Sequence, residues 1–215
     1  AKPHNMGTLF WQLNDCWPVT SWSSIDFFGN WKALHYKAKK SFENILVSHD
    51  IYDETLRTYI VNDGFSEVKD QLNLKILDFT GKVLYEDSIE STIEGGISMI
   101  VHELDLKHFL NQLDEIVVVS EYNGHSSTFY MVEPKSLKLI PSEIEVSISK
   151  NTDFHEITIH SKTLQKDVYL YTKQKGHFSD NFFDLIPNEP KIIRFYSQED
   201  NINDIYLKSL NNFIR

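Results

Sequence analysis

Trp11, Asn14, Asp15, Trp17 and Trp22 fall within twelve residues of one another, and that mixture of types has a specific chemistry. Flat indole faces pack against the axial C–H groups of a pyranose. Carboxylate and carboxamide groups beside them pair with hydroxyls that would otherwise be buried without partners. The cluster reads as a sugar-binding surface, with Trp11, Asp15, Trp17 and Trp22 as the candidate substrate-binding residues. The competing reading is core packing, and Trp31 is assigned to it because it begins an apolar helical pattern.

The elements that would position this cluster can be read on either side of it. Met6 to Leu13 (MGTLFWQL) is a continuous apolar run, the pattern of a parallel strand buried on both faces. A polar and aromatic loop follows to Asn30. From Trp31 to Asn44, the residues Trp31, Leu34, His35, Ala38 and Phe42 recur at helical spacing. Strand, loop and helix make one β/α unit, and in a β/α barrel the functional groups collect at the strand's C-terminal end and in the loop after it. A parallel strand needs neighbours joined by crossover helices. These partners are expected upstream of this chain, together with any targeting signal, so the compartment stays open.

After Ile45 the pattern changes to short β-branched and aromatic runs divided by turn signals, as in antiparallel sandwiches. Strands are expected over Leu56–Val61, Gln71–Asp78, Lys82–Glu86, Ile97–Leu104, Glu115–Tyr122 and Thr128–Val132, with Asn123-Gly124 as the strongest hairpin signal. A short helical turn from Asp105 to Gln112, capped by Asp105, is expected. Prolines 134 and 141 bracket a junction, and the pattern restarts at Ile144, Ile157, Val168, Phe178 to Leu185, Ile192 and Ile205. The expected fold is mainly β: two immunoglobulin-like antiparallel β-sandwiches, residues 45–138 and 139–215, preceded by a β/α remnant of a TIM barrel in residues 1–44.

Composition narrows the function classes. The net charge is −10, and beyond residue 45 the chain holds 16 basic against 28 acidic residues. Such a surface repels phosphate backbones, so no nucleic-acid partner is expected. No apolar run is long enough for a membrane-spanning helix. Cys16 is the single cysteine, which rules out an internal disulfide framework and a thiolate zinc cluster. No cofactor is expected, since no glycine-rich phosphate loop appears, and Ser/His/Asp catalysis finds no nucleophile elbow. No metal site is expected either: His155 and His160, five apart on a strand, point to opposite faces and read as surface or rim residues. His35 is given no role.

The string MGTLFWQLNDCWPVTSWSSIDFFGNWKALHY resembles the end of the catalytic barrel of family 2 glycoside hydrolases of the β-mannosidase type. YMVEPKSLKLIPSEIEV resembles the junction between that family's two C-terminal sandwiches, and FSDNFFDLIPNEPKIIRF resembles its last domain. The resemblance implies the C-terminal part of a retaining exo-β-mannosidase acting on terminal β-D-mannosyl residues of β-mannosides or manno-oligosaccharides. It places Trp11 at the end of the eighth barrel strand, lining the mannose subsite, with Asp15, Trp17 and Trp22 in the adjoining loop. It also implies a cis peptide between Trp11 and Gln12 in the intact enzyme.

No catalytic residue is assigned within the chain, because the family's two glutamates lie upstream of the tryptophan strand. Ser120-Glu121-Tyr122 and Asn188-Glu189 imitate the catalytic motifs, but in the wrong order and in sandwich sequence. The alternatives are a free-standing carbohydrate-binding module, a structural or adhesion sandwich, and another family 2 glycosidase, a β-galactosidase or β-glucuronidase. The orphan strand offers a route to a homodimer, or it loses its strand conformation. The helix, joined directly to Ile45, is expected to pack on the first sandwich.

Overall fold

The structure is a computed structural model and describes residues 7–197 and 204–214. Two compact units emerge from one chain. One contains Ser41–Lys138; the other combines Leu9–Lys40 with the described residues from Leu139 onward.

The first unit is built from β1 (Ile45–Tyr52), β2 (Thr55–Asn62), β3 (Val68–Asp78), β4 (Val83–Ile93), β5 (Ile97–Asp105), β6 (Ile116–Tyr122) and β7 (His125–Phe129). They form one sheet in the order β1-β2-β5 and a second in the order β4-β3-β6-β7. Every pairing is antiparallel. Alternation along β2 sends Leu56, Thr58 and Ile60 inward, where Leu56 meets Leu74, Ile76, Ile116 and Val118 of the facing sheet. Burying each such side chain is worth about 1.5–3 kcal/mol, so the two-residue period fixes which face of each sheet becomes core.

The turns follow backbone chemistry. Asn123 and Gly124 adopt φ of 52° and 76°, the pair of left-handed residues that a tight hairpin between right-twisted strands requires. Asp53 and Glu54 do the same at 50° and 58° and join β1 to β2. Asp-Glu carries no such signal in sequence, which is why β1 was not expected. The Asp105 cap forms, with its carboxylate accepting from the Lys107 amide at 2.9 Å.

In the second unit β8 (Ile144–Lys150), β9 (His155–Ser161), β10 (Gln165–Tyr171), β11 (His177–Phe178), β12 (Phe183–Leu185), β13 (Lys191–Tyr196) and β14 (Tyr206–Lys208) follow. The sheets are β11-β13-β9-β8 and β12-β10-β14, again antiparallel. Ile157, Ile193 and Phe195 from one sheet share a core with Val168, Leu170 and Leu185 from the other. The single strand expected over Phe178–Leu185 is two strands in different sheets. Asn181 makes the switch: its side chain accepts from the Leu170 amide at 2.8 Å and donates to the Leu170 carbonyl at 2.9 Å, taking the place of ladder bonds while Phe182 turns at φ 56°.

Residues 9–40 differ most from expectation. Gly7 to Leu13 form no strand, and Met6 lies outside the described residues. Helix α1 spans Ala33–Ser41, but it belongs to the second unit and not to the sandwich next to it in sequence. Its buried residue is Tyr36, whose ring lies 6.2 Å from that of Phe182, while Lys39 donates to the Ser179 carbonyl at 3.1 Å. Leu34 and Phe42 of the expected apolar stripe are exposed. Spacing identifies a stripe, whereas the neighbour that is present decides which stripe is covered.

Candidate functional site

The loop between Leu13 and α1 is organised around one carboxylate. Asp15 is 4% exposed. It accepts from the Ser21 hydroxyl at 2.5 Å, the Ser23 hydroxyl at 2.7 Å and, more weakly, the Gln12 carboxamide at 3.4 Å. The Lys32 ammonium stands 3.3 Å away and also donates to the Ser23 hydroxyl at 2.7 Å. The two serine hydroxyls hold the Asp15 carboxyl below the usual carboxylate range; burial opposes them and Lys32 adds to them. The group is therefore ionised at neutral pH, with its acceptor positions directed inward.

Backbone bonds fix the rest of the loop. The Asp15 amide donates to the Ile25 carbonyl at 3.1 Å and the Ile25 amide returns to Leu13 at 2.8 Å, so Asn14 and Ile25 form a parallel bridge. The Ser24 hydroxyl donates to the Leu13 carbonyl at 2.9 Å and meets His35 Nδ1 at 3.2 Å. Burial and the Lys39 charge lower the His35 pKa. Asp26 closes a second turn, accepting from the amides of Phe28 and Asn30 at 2.9 and 2.8 Å, with Gly29 at φ 88°.

Against this tied backbone the large side chains point outward. Trp11, Trp17 and Trp22 are 75%, 63% and 69% exposed, and Leu9, Phe10, Leu13, Phe27 and Phe28 are exposed with them. The Trp11–Gln12 peptide bond is cis. Trp31 is packed, with its ring 4.4 Å from His35 and 4.8 Å from His177. Of the four candidate residues, the loop buries Asp15 as its internal anchor and leaves the three tryptophans as separate exposed faces. Sequence reading missed Ser21, Ser23 and Lys32, the groups that hold the anchor. Their signal was a run of small hydroxyl residues beside an Asp, which reads equally well as an ordinary polar loop.

The remaining candidates fall into place locally. Glu121 is an exposed residue of β6, and Glu189 is exposed in a turn after Asn188, which adopts φ 63°. His155 and His160 do sit on opposite faces of β9. His155, however, is buried, and so is not the surface or rim residue expected: alternation places it in line with core residues Ile157 and Ile159. Among the described residues no cluster of three or more His, Cys, Asp and Glu could hold a metal ion, and no helix is long and apolar enough to cross a membrane.

Comparison with known proteins adds family information. Residues 54–136 match the Mannosidase Ig/CBM-like domain, and residues 139–213 match the Ig-fold domain of the mannosidase type. β-Mannosidase A of Aspergillus flavus is 29% identical over 95% of this chain, and that of Aspergillus fumigatus 27% identical over 94%. The chain spans about a quarter of the length of these relatives, 25% and 24% respectively. Among solved structures, a β-D-mannosidase of Dictyoglomus thermophilum superposes with a TM-score of 0.85 at 24% identity, over 98% of this chain and 27% of that one. An exo-chitosanase of Amycolatopsis orientalis gives 0.70 at 12% identity, over 94% of this chain and 29% of that one. At these identities the superpositions speak for the fold.

Proposed function

We propose, for a chain that carries a Mannosidase Ig/CBM-like domain and a mannosidase-type Ig-fold domain and is homologous to the C-terminal part of β-mannosidases, that it is the C-terminal part of a retaining exo-β-mannosidase. In this reading residues 1–44 complete a (β/α)8 barrel, Trp11 and the neighbouring Trp17 and Trp22 contribute to the mannose subsite, and the sandwiches buttress the barrel. The observation that carries it is the contrast within the loop. Main-chain bonds among Leu13, Asp15, Ser24 and Ile25 and the Asp15 carboxylate between Ser21 and Ser23 hold the segment, yet three indoles and five further large apolar side chains face solvent. Large apolar side chains left exposed in such number belong against a partner or a ligand, and Leu34 of α1 is exposed as well.

The chemistry divides accordingly. Retaining hydrolysis uses two carboxyl groups about 5–5.5 Å apart, one protonating the leaving oxygen and one attacking the anomeric carbon. Glu121 and Glu189 are exposed on sandwich strand and turn and supply neither role, so both glutamates are assigned to sequence upstream. Asp15 acts as a positioning residue: its bonds to Ser21 and Ser23 hold the loop on which the tryptophans stand, and a sugar stacked on an indole keeps that contact as its ring flattens toward the transition state. Expression with the upstream sequence tests this reading. The longer protein should hydrolyse an aryl β-mannoside while residues 1–215 alone do not. Hydrolysis by the 215-residue chain, abolished by Glu121→Gln, would overturn the assignment.

A further inference from the structure

The outward face of β10 and β14 carries an open groove of about 390 Å³, lined by Tyr169, Tyr171, Lys173, Tyr206 and Lys208. Alternation along β10 sends Val168 and Leu170 into the core and Tyr169 and Tyr171 outward. The antiparallel register then sets Tyr171 opposite Tyr206 and Tyr169 opposite Lys208. The rings form a shallow, continuous surface. Phe182 stacks on Tyr169 at 4.8 Å and 23°, Tyr169 and Tyr171 lie 6.4 Å apart at 32°, and Tyr171 and Tyr206 lie 6.1 Å apart at 35°. The three tyrosines remain 36%, 45% and 47% exposed, so the sheet presents aromatic faces to solvent instead of burying them.

The charge beside them is also unusual. Lys173 and Lys208 are exposed, and among the described residues neither ammonium has a carboxylate partner; Lys208 stands 6.0 Å over the Phe213 ring. In a chain of net charge −10, these two cations give the aromatic trough a positively charged flank.

We propose that this groove binds an acidic oligosaccharide, with pyranose rings stacked on Tyr169, Tyr171 and Tyr206 and their carboxylates paired to Lys173 and Lys208. A neutral glycan would use the rings but leave both ammonium groups partly desolvated without compensation. A nucleic acid would meet the overall negative field with only two cations in its favour. The inference rests on the groove alone and is independent of the barrel reading.

Titration of the 215-residue chain with β-linked hexamannuronate, and separately with β-linked mannohexaose, tests it by calorimetry and by amide chemical shifts. The two probes share a backbone and differ in the carboxylates. Hexamannuronate should bind at least about ten-fold more tightly than mannohexaose, and less tightly as salt is raised from about 0.05 to 0.5 M. Tyr171→Ala and Lys208→Gln should each weaken it about ten-fold, with shift changes in the wild-type chain confined to β10, β14 and their flanks. Equal affinity for both probes, indifference to salt and to Lys208→Gln, or shifts elsewhere in the chain would each overturn the proposal. So would the absence of any binding. Shift mapping and the comparison of the two probes use the wild-type chain, so they decide the matter even if a variant fails to fold.

Discussion

His49 makes the stability of the first unit sensitive to acid. It lies on β1 with Nδ1 3.1 Å from the Thr58 hydroxyl and Nε2 2.8 Å from the Ser120 hydroxyl; Thr58 and Ser120 are fully buried. Burial, with a smaller contribution from nearby His102, pushes its pKa from 6.5 down to about 4. Below pH 6.5 the unfolded chain takes up a proton that the folded chain refuses. The stability present above pH 6.5 is therefore lost progressively as pH falls, and the loss is complete only below pH 4. A shift of that size corresponds to about 3 kcal/mol, a large share of the stability of an ordinary domain.

The perturbation is His49→Gln, which keeps a donor and an acceptor for the two hydroxyls but does not titrate. Urea unfolding between pH 7 and pH 4, followed by hydrogen exchange of the β1, β2 and β6 amides, should show the wild type losing about 3 kcal/mol more than the variant. The chain supplies an internal control, since all four tryptophans lie in residues 11–31 and their fluorescence reports on the second unit. Tryptophan transitions should not register the substitution. A His49 ring titrating near pH 6.5 by NMR, or equal pH slopes in the two proteins, would refute the reasoning.

Other outcomes follow from the same structure. In a longer, active protein Trp11→Ala should lower kcat/KM by at least about ten-fold through lost stacking, and unchanged kinetics would make it a packing residue. Asp15→Asn should loosen the loop, because a carboxamide cannot accept from Ser21, Ser23 and Lys32 together; tryptophan fluorescence that is quenched more readily by iodide would register it, and unaltered quenching would remove Asp15 as the anchor. Gly95→Ala should destabilise the first unit by about 1–3 kcal/mol in urea titrations, since a Cβ there would stand 2.6 Å from the Phe65 backbone. A neutral effect would show that this loop yields. The isolated chain should self-associate through the exposed side chains from Leu9 to Phe28, giving a scattering mass that rises with concentration; a constant monomer mass would count against that surface being adhesive.

The amino-acid pattern by itself determined the antiparallel β character and most strand positions, because a two-residue alternation has one satisfactory solution once one face must be dry. Asn123-Gly124 and Asp105 were legible for a related reason: their backbone and side-chain chemistry acts within a few residues. Asp53-Glu54, which adopts the same turn without the usual residues, hid β1 and with it the His49 pair, whose partners Thr58 and Ser120 arrive from other strands. The tryptophan cluster announced a sugar-binding surface, but only tertiary structure separated the buried Asp15 from the outward indoles. The residues holding Asp15 stand 3 to 17 positions away, and hydroxyl types alone do not reveal whom they bond. Tertiary structure also decided where α1 docks. Helical spacing offered Leu34 and Phe42, and the aromatic ring of Phe182, 146 positions beyond Tyr36, selected the other face.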